Sequence, residues 1–143
     1  MIRVTPTVRP RDGQALFTDI AAQWAQASLL MNTMLRERGV PYVHVLQPNQ
    51  YFTTRRFDES ERRVALNAGS PFKSGAEGGY PALVDASRAL AMGEQFFNGV
   101  GIFDRETAQV YIDDCCHYTL AGNHRLADFL STSILGAAGP WHR

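Results

Sequence analysis

The sequence predicts a helix-rich α/β fold built on part of a doubly wound parallel sheet, roughly half of one. Three observations lead to this class. Apolar residues recur at helical spacing over residues 15–38, short β-branched runs occur at 40–46 and 108–112, and the predicted elements after the first helix follow the order β-α-α-β-α. Parallel strands joined through helices are typical of such sheets.

The first half of the chain contains the clearest elements. Residues 15–38 form the longest predicted helix, which Gly39 ends, and residues 40–46 form a buried parallel strand that ends at Gln47-Pro48-Asn49. Asp58 or Ser60 can cap a short helix that runs through Leu66. Residues 67–79 are rich in Gly and Pro, and we expect a loop there.

The second half is predicted to add two helices and one strand. Tyr80-Pro81 opens a helix with Phe97 near its apolar face, and the glycines of 99–101 break it. Residues 108–112 form the second strand, and residues 119–135 form the last helix. The whole of 1–143 is interpreted as one domain, with a flexible N-terminal segment at 1–14 and a tail at 136–143.

Charge and hydropathy exclude several partners. Fourteen basic residues balance fourteen acidic ones, so no electrostatic footprint for nucleic acid is present. No apolar run reaches the ~18 residues of a membrane span, and no signal-peptide pattern begins the chain. The two cysteines, Cys115 and Cys116, are adjacent and cannot close a useful loop. We therefore expect reduced thiols and a cytoplasmic location for the chain as given, with origin in a longer secreted protein as the alternative.

Asp114 and His117 are the predicted catalytic residues. They lie three positions apart, after a strand-like run and before a helix. An imidazole can take a proton from a nucleophile while a neighbouring carboxylate orients it and stabilises the imidazolium. Asp113 is an adjacent alternative for the carboxylate, because alternation along a strand would send the two aspartates to opposite sides.

This segment resembles the last sequence block of the SGNH (GDSL-type) hydrolases, with Asp114-x-x-His117 followed by Gly122 and the amphipathic run 126–130. Residues 38–48 are similar to an inner strand of that family and its exit loop, and the resemblance spans about residues 14–135. It implies a flavodoxin-like sheet and the Asp and His of a Ser-His-Asp triad, so the chain is interpreted as a single truncated SGNH-like domain.

The family's Gly-Asp-Ser nucleophile block and its oxyanion-hole Gly and Asn are not found. The chain is therefore expected to correspond to the C-terminal part of such a hydrolase. Ser70 and Ser74, in the Gly-rich segment, are the possible nucleophiles within the chain. An activated water or a serine of another chain are the other sources.

Other polar residues complete the predicted site. Gln47, Asn49 and Gln50 follow the first strand and could bind the hydroxyls or carbonyl of a substrate. Cysteine spacing does not fit a metal site, so no metal and no cofactor is predicted. His44, inside an apolar strand, is interpreted as a sheet histidine.

The predicted function is hydrolysis of an ester or an acylated carbohydrate. The alternatives are a glycosidase-like hydrolase that uses Asp113, Asp114 and His117 without serine, and a catalytically silent binding module. Because half a sheet leaves open edges, we also expect a homo-oligomer or a partner that completes the sheet.

Overall fold

A computed structural model describes residues 12–93 and 95–137 of the chain. The described part contains four helices and a two-stranded sheet. In chain order the elements are α1 (Gly13–Glu37), β1 (Val43–Leu46), α2 (Glu59–Ala65), α3 (Lys73–Gly93), β2 (Gln95–Asn98) and α4 (Leu120–Gly136).

The sheet consists of β1 and β2, which pair in parallel. His44 lies opposite Phe96 in the register, and Val45 lies opposite Phe97. The chain passes from β1 to β2 through α2 and α3. Within the described residues no third strand joins the sheet, so β1 and β2 each keep one unpaired edge.

Helices α1 and α3 pack against each other because small residues line their contact. Ala21, Ala25 and Ser28 are the buried residues of α1. At Gly78 of α3 a Cβ would lie 2.3 Å from Cε2 of Phe17, so only glycine permits this approach.

Aromatic side chains of two helices approach the sheet from different sides. Trp24 of α1 makes edge contacts with the rings of His44 and Phe96 on one face. Val45 belongs to the opposite face, where Phe129 of α4 approaches Gly99 so closely that a Cβ there would lie 3.2 Å from its ring. The arrangement is a small parallel sheet among four helices.

Residues 99–119 form turns. Three of their side chains, those of Phe103, Val110 and Tyr111, form a buried cluster with Ala65 of α2. Glu61 holds this segment, since its Oε1 accepts the backbone N–H groups of Val110 and Tyr111, each at 2.9 Å. The Arg55 guanidinium lies 2.7 Å from Oε2 of the same carboxylate.

Two strand predictions need correction. Residues 108–112 form no strand, because the N–H groups of Val110 and Tyr111 bind the Glu61 carboxylate and Tyr111 forms a single antiparallel bridge with Tyr118. The second strand is Gln95–Asn98, in a stretch predicted to be helical. The first strand is also shorter than 40–46.

The loop predicted at 67–79 is also wrong in its second half. Helix α3 begins at Lys73, and Pro81 lies inside it instead of opening it. Packing against Phe17 outweighs the low helix propensity of the glycines. The long first helix is confirmed, as are the Asp58 cap of α2, which accepts the Glu61 N–H at 2.8 Å, and the helix that follows Thr119.

The helix-rich α/β class is confirmed in its coarse form, as four helices with a small parallel sheet. Most of the predicted N-terminal segment 1–14 and of the tail 136–143 lies outside the described residues, although Gly13 and Gln14 already belong to α1 and residue 136 to α4. Among the described helices, none is long and apolar enough to cross a bilayer.

Candidate functional site

The site is a tight turn at residues 113–117, closed by the Asp113 side chain. Its Oδ1 accepts the backbone N–H groups of Cys115 at 2.9 Å and of His117 at 3.3 Å. Its Oδ2 lies 2.5 Å from Nδ1 of His117. One carboxylate therefore both shapes the turn and fixes the imidazole.

The pair is open to solvent. The His117 side chain is 67% exposed and that of Asp113 38% exposed, so small molecules can reach the imidazole. The hydrogen bond to His117 is the main reason why the pKa of Asp113 lies below its ordinary value. The carboxylate is therefore ionised at neutral pH and can stabilise a protonated imidazole.

The expected pairing of Asp114 with His117 is not found in the structure. The Asp114 Oδ2 accepts the Asn67 Nδ2 at 3.0 Å. The turn folds Asp113 back onto the imidazole four residues later, while Asp114 faces the segment that precedes α3. The alternative carboxylate, Asp113, is the one in contact.

Cys116 has an unusual backbone conformation within this turn. Its φ is 71°, in the left-handed region that side chains other than glycine rarely adopt. Its Sγ accepts the Asn49 Nδ2 at 2.9 Å. Burial is the main cause that raises the pKa of the Cys116 thiol, so the group stays protonated and acts as a neutral hydrogen-bonding partner.

The structure brings two of the three predicted substrate-binding residues to this turn. Asn49 and Gln50 are buried, and the Gln50 Nε2 donates to the Asp113 carbonyl at 3.3 Å. Their side chains hold the turn itself, together with the Asn49 contact to Cys116. Gln47 is exposed, and its carbonyl accepts the Tyr80 hydroxyl at 3.2 Å.

The two possible nucleophiles lie apart from the imidazole. The buried Ser70 hydroxyl donates to the Asp114 carbonyl at 3.4 Å. Ser74 is exposed in the first turn of α3. All seven serines of the chain fall in the described ranges. Within those ranges the imidazole of His117 bonds to Asp113, and no hydroxyl is bonded to it.

His44 lies in the sheet, as predicted. Its Nδ1 contacts the Ser28 hydroxyl, and its ring meets the edges of Trp24 and Phe96. In the part of the chain that the structure covers, no group of three or more His, Cys, Asp or Glu side chains is placed to hold a metal ion.

A cavity of about 500 Å³ lies beside the turn, and the sequence did not predict it. Cys115 and Cys116 form part of its wall, and α1 and α3 supply most of the rest. Burial raises the pKa of Tyr80, on its α3 wall, to about 12. The cavity is lined by Phe17, Ile20, Ala21, Asn49, Pro71, Phe72, Gly75, Ala76, Gly79, Tyr80, Leu83, Cys115 and Cys116.

Comparisons with protein-family models, with curated proteins and with solved structures find no match for this chain. The turn offers an oriented, accessible base, and the cavity offers an apolar binding volume next to it.

Proposed function

We propose that the chain is a hydrolase of SGNH lineage that acts on ester or acylated-carbohydrate substrates, with His117 as the general base. The observation that carries this proposal is the 2.5 Å contact between Asp113 and His117 in an exposed turn. Asp113 takes the orienting role that the family resemblance would give to Asp114.

The contact defines which nitrogen can act. The Nδ1 faces an ionised carboxylate, so in the neutral ring the proton is placed on Nδ1 and the lone pair on Nε2. Nε2 can then take a proton from a nucleophile that attacks the ester carbonyl. The Asp113 carboxylate stabilises the imidazolium until the proton passes to the leaving group.

The nucleophile is proposed to be an activated water or a hydroxyl supplied by another chain. This is supported by the absence, within the described residues, of any hydroxyl bonded to the imidazole. A second chain would also supply strands to pair with the open edges of the two-stranded sheet. Helix α1 exposes Leu30, Met31 and Met34, which supports self-association or a sheet-completing partner.

Turnover of p-nitrophenyl acetate by the purified chain tests the proposed base. We expect the His117→Ala variant to lose about 10²-fold in rate, the usual contribution of a positioned general base. His124→Ala is the matched control, because His124 is also an exposed histidine and lies on α4, outside the turn. Equal rates in the wild type and His117→Ala would reject the assignment.

A fluorophosphonate reagent tests the source of the nucleophile, because it labels activated serines. We expect no label on Ser70 or Ser74 in the purified chain, since neither hydroxyl contacts the imidazole. A labelled serine that disappears in His117→Ala would show that the nucleophile belongs to this chain.

A catalytically silent binding module is the second candidate, and the cavity of about 500 Å³ favours it. Such a module would bind an apolar ligand without any turnover that depends on His117. The same variant therefore separates the two functions.

A further inference from the structure

Among the described residues, no charged side chain lines the cavity beside the turn. Its volume of about 500 Å³ falls within the ~300–1,000 Å³ typical of small-molecule sites. A charged ligand group buried there would find no opposite charge, which is strongly unfavourable. The wall therefore selects an uncharged, mainly apolar ligand.

The Asn49 and Tyr80 side chains of the wall are already hydrogen-bonded within the protein. The Asn49 amide donates to Cys116 at 2.9 Å and accepts the Tyr51 N–H at 2.9 Å. The Tyr80 hydroxyl donates to the Gln47 carbonyl at 3.2 Å. A sugar needs many hydrogen-bonding partners, whereas a hydrocarbon chain needs none, so the wall fits a hydrocarbon chain.

The cavity borders the proposed catalytic turn. Cys115 and Cys116 line it, and both lie between the two residues of the Asp113–His117 pair. Phe72 and Ile20, about half exposed, extend its apolar wall toward solvent.

We infer that this cavity binds the acyl chain of the substrate ester. The properties of the cavity alone support acyl-chain binding. The claim that the bound chain belongs to a hydrolysed ester depends on the proposed function. The substrate class is thereby narrowed to esters of aliphatic acids several carbons long. Each additional buried methylene is expected to tighten binding about fourfold until the cavity is filled.

The chain carries its own reporter of occupancy, because its only two thiols both line the cavity. The rate at which a thiol reagent such as iodoacetamide modifies Cys115 and Cys116 can be measured by mass spectrometry. We expect methyl octanoate to slow this modification, methyl butanoate to slow it less at the same concentration, and glucose to have no effect. Unchanged modification rates with methyl octanoate would overturn the inference.

A cavity-filling variant makes the test specific. Gly75 lines the cavity, and a Cβ at this position would meet no atom within 4 Å, so Gly75→Leu is chosen to add side-chain volume at the cavity wall. We expect protection by methyl octanoate to fall at least tenfold in this variant. Gly136→Leu is the matched control, since Gly136 lies on α4, outside the cavity wall, with equally open space around it.

Equal protection in Gly75→Leu and in the wild type would place the ester elsewhere and contradict the inference. Should Gly75→Leu not fold, as judged by circular dichroism, the chain-length series on the wild type decides alone. Protection that persists in His117→Ala would support the acyl site independently of catalysis. Failure of turnover and failure of acyl binding are therefore distinguishable.

Discussion

Two acid–base pairs of nearly equal length lie in very different surroundings. The Arg55–Glu61 pair is separated by 2.7 Å, and its side chains are only 1% and 0% exposed. The Asp113–His117 pair is separated by 2.5 Å, with the imidazole 67% exposed. Distance alone would rank them as equals, whereas burial separates a structural pair from a chemically accessible one.

The buried pair fixes the segment that leads into the turn at residues 113–117. Arg55 donates to the carbonyls of Glu106 at 2.9 Å and Ala108 at 2.7 Å, and its guanidinium lies 4.9 Å from the ring centroid of Phe57. Glu61 accepts two backbone N–H groups from the same segment. Removing one partner would leave the other charge buried without compensation, which is costly.

The exposed pair contributes little to stability, because water screens its charges and solvates each partner when they separate. The same exposure lets a substrate approach the imidazole. The comparison therefore assigns stability to Glu61 and is compatible with the proton transfer proposed for His117, and the two roles can be tested separately.

The largest expected effect is on the buried pair. Glu61→Ala should lower the free energy of unfolding by about 3–5 kcal/mol, because it strands a buried guanidinium and removes the acceptor of two N–H groups. Urea unfolding measures this change. The control is Glu59→Ala on the same helix, whose exposed pair with Arg63 is worth about 0–1 kcal/mol. Similar losses in both variants would mean that the buried Arg55–Glu61 pair stabilises the fold no more than the exposed Glu59–Arg63 pair does.

Acid should weaken the same pair to a smaller extent. Burial alone would raise the pKa of Glu61, but hydrogen bonds from Arg55, Tyr111 and Val110 lower it below the ordinary 4.5. A carboxylate with a lowered pKa stabilises the fold above its unfolded pKa, and this contribution is lost as the pH falls through the folded value.

The stability of the wild type should therefore decrease below about pH 4.5, with a steeper slope than that of Glu61→Gln. The effect is smaller than that of Glu61→Ala, because a protonated carboxyl keeps an oxygen for the N–H groups. Urea midpoints between pH 3 and pH 7 measure both slopes. Parallel slopes would mean that Glu61 does not carry the acid sensitivity.

A smaller loss is expected where α4 meets the segment before the turn. A Cβ at Gly122 would lie 2.8 Å from the Val110 carbonyl oxygen and 3.0 Å from the Tyr118 Cβ. Gly122→Ala must displace backbone, so we expect about 1–3 kcal/mol of destabilisation in urea unfolding. Gly136→Ala in the same helix meets nothing within 4 Å and should not destabilise, which makes it the control.

Local signals account for the parts of the fold that the sequence predicted. Periodic apolar residues predicted α1, and Asp58, one of the two candidate caps, predicted the start of α2 because capping is a local interaction. Strand β2 was missed because Phe97 continues a helical pattern, and only pairing with β1 decides between the two structures. The glycines of α3 become helical through packing on Phe17, which no local rule contains.

The site was predicted in composition but not in detail. The sequence placed an aspartate beside His117, yet the backbone conformation of Cys116 and the bond from Asn67 to Asp114 determine which one makes contact. The cavity could not be predicted, because Phe17, Phe72 and Cys116 come from distant parts of the sequence. Contacts between residues so far apart in the sequence can be identified only from the tertiary structure.

The smallest expected effect on stability is at Asp113. A variant at this position best separates the exposed Asp113–His117 pair from the buried Arg55–Glu61 pair. Asp113→Asn keeps an oxygen that can accept the N–H groups of Cys115 and His117, so the free energy of unfolding should change by less than about 1 kcal/mol. Ester turnover should fall by roughly tenfold or more, because a hydrogen bond to a charged group is worth about 1.5–3 kcal/mol.

Asp114→Asn is the control, since Asp114 is bonded to Asn67 and should leave turnover within about twofold of the wild type, a difference under about 0.5 kcal/mol. The opposite result, with turnover lost in Asp114→Asn and kept in Asp113→Asn, would favour the pairing implied by the family resemblance over the one in the structure. A large loss of stability in Asp113→Asn would instead make the exposed pair structural, like Arg55–Glu61. Only retained stability together with reduced turnover assigns Asp113 to the orientation of the base.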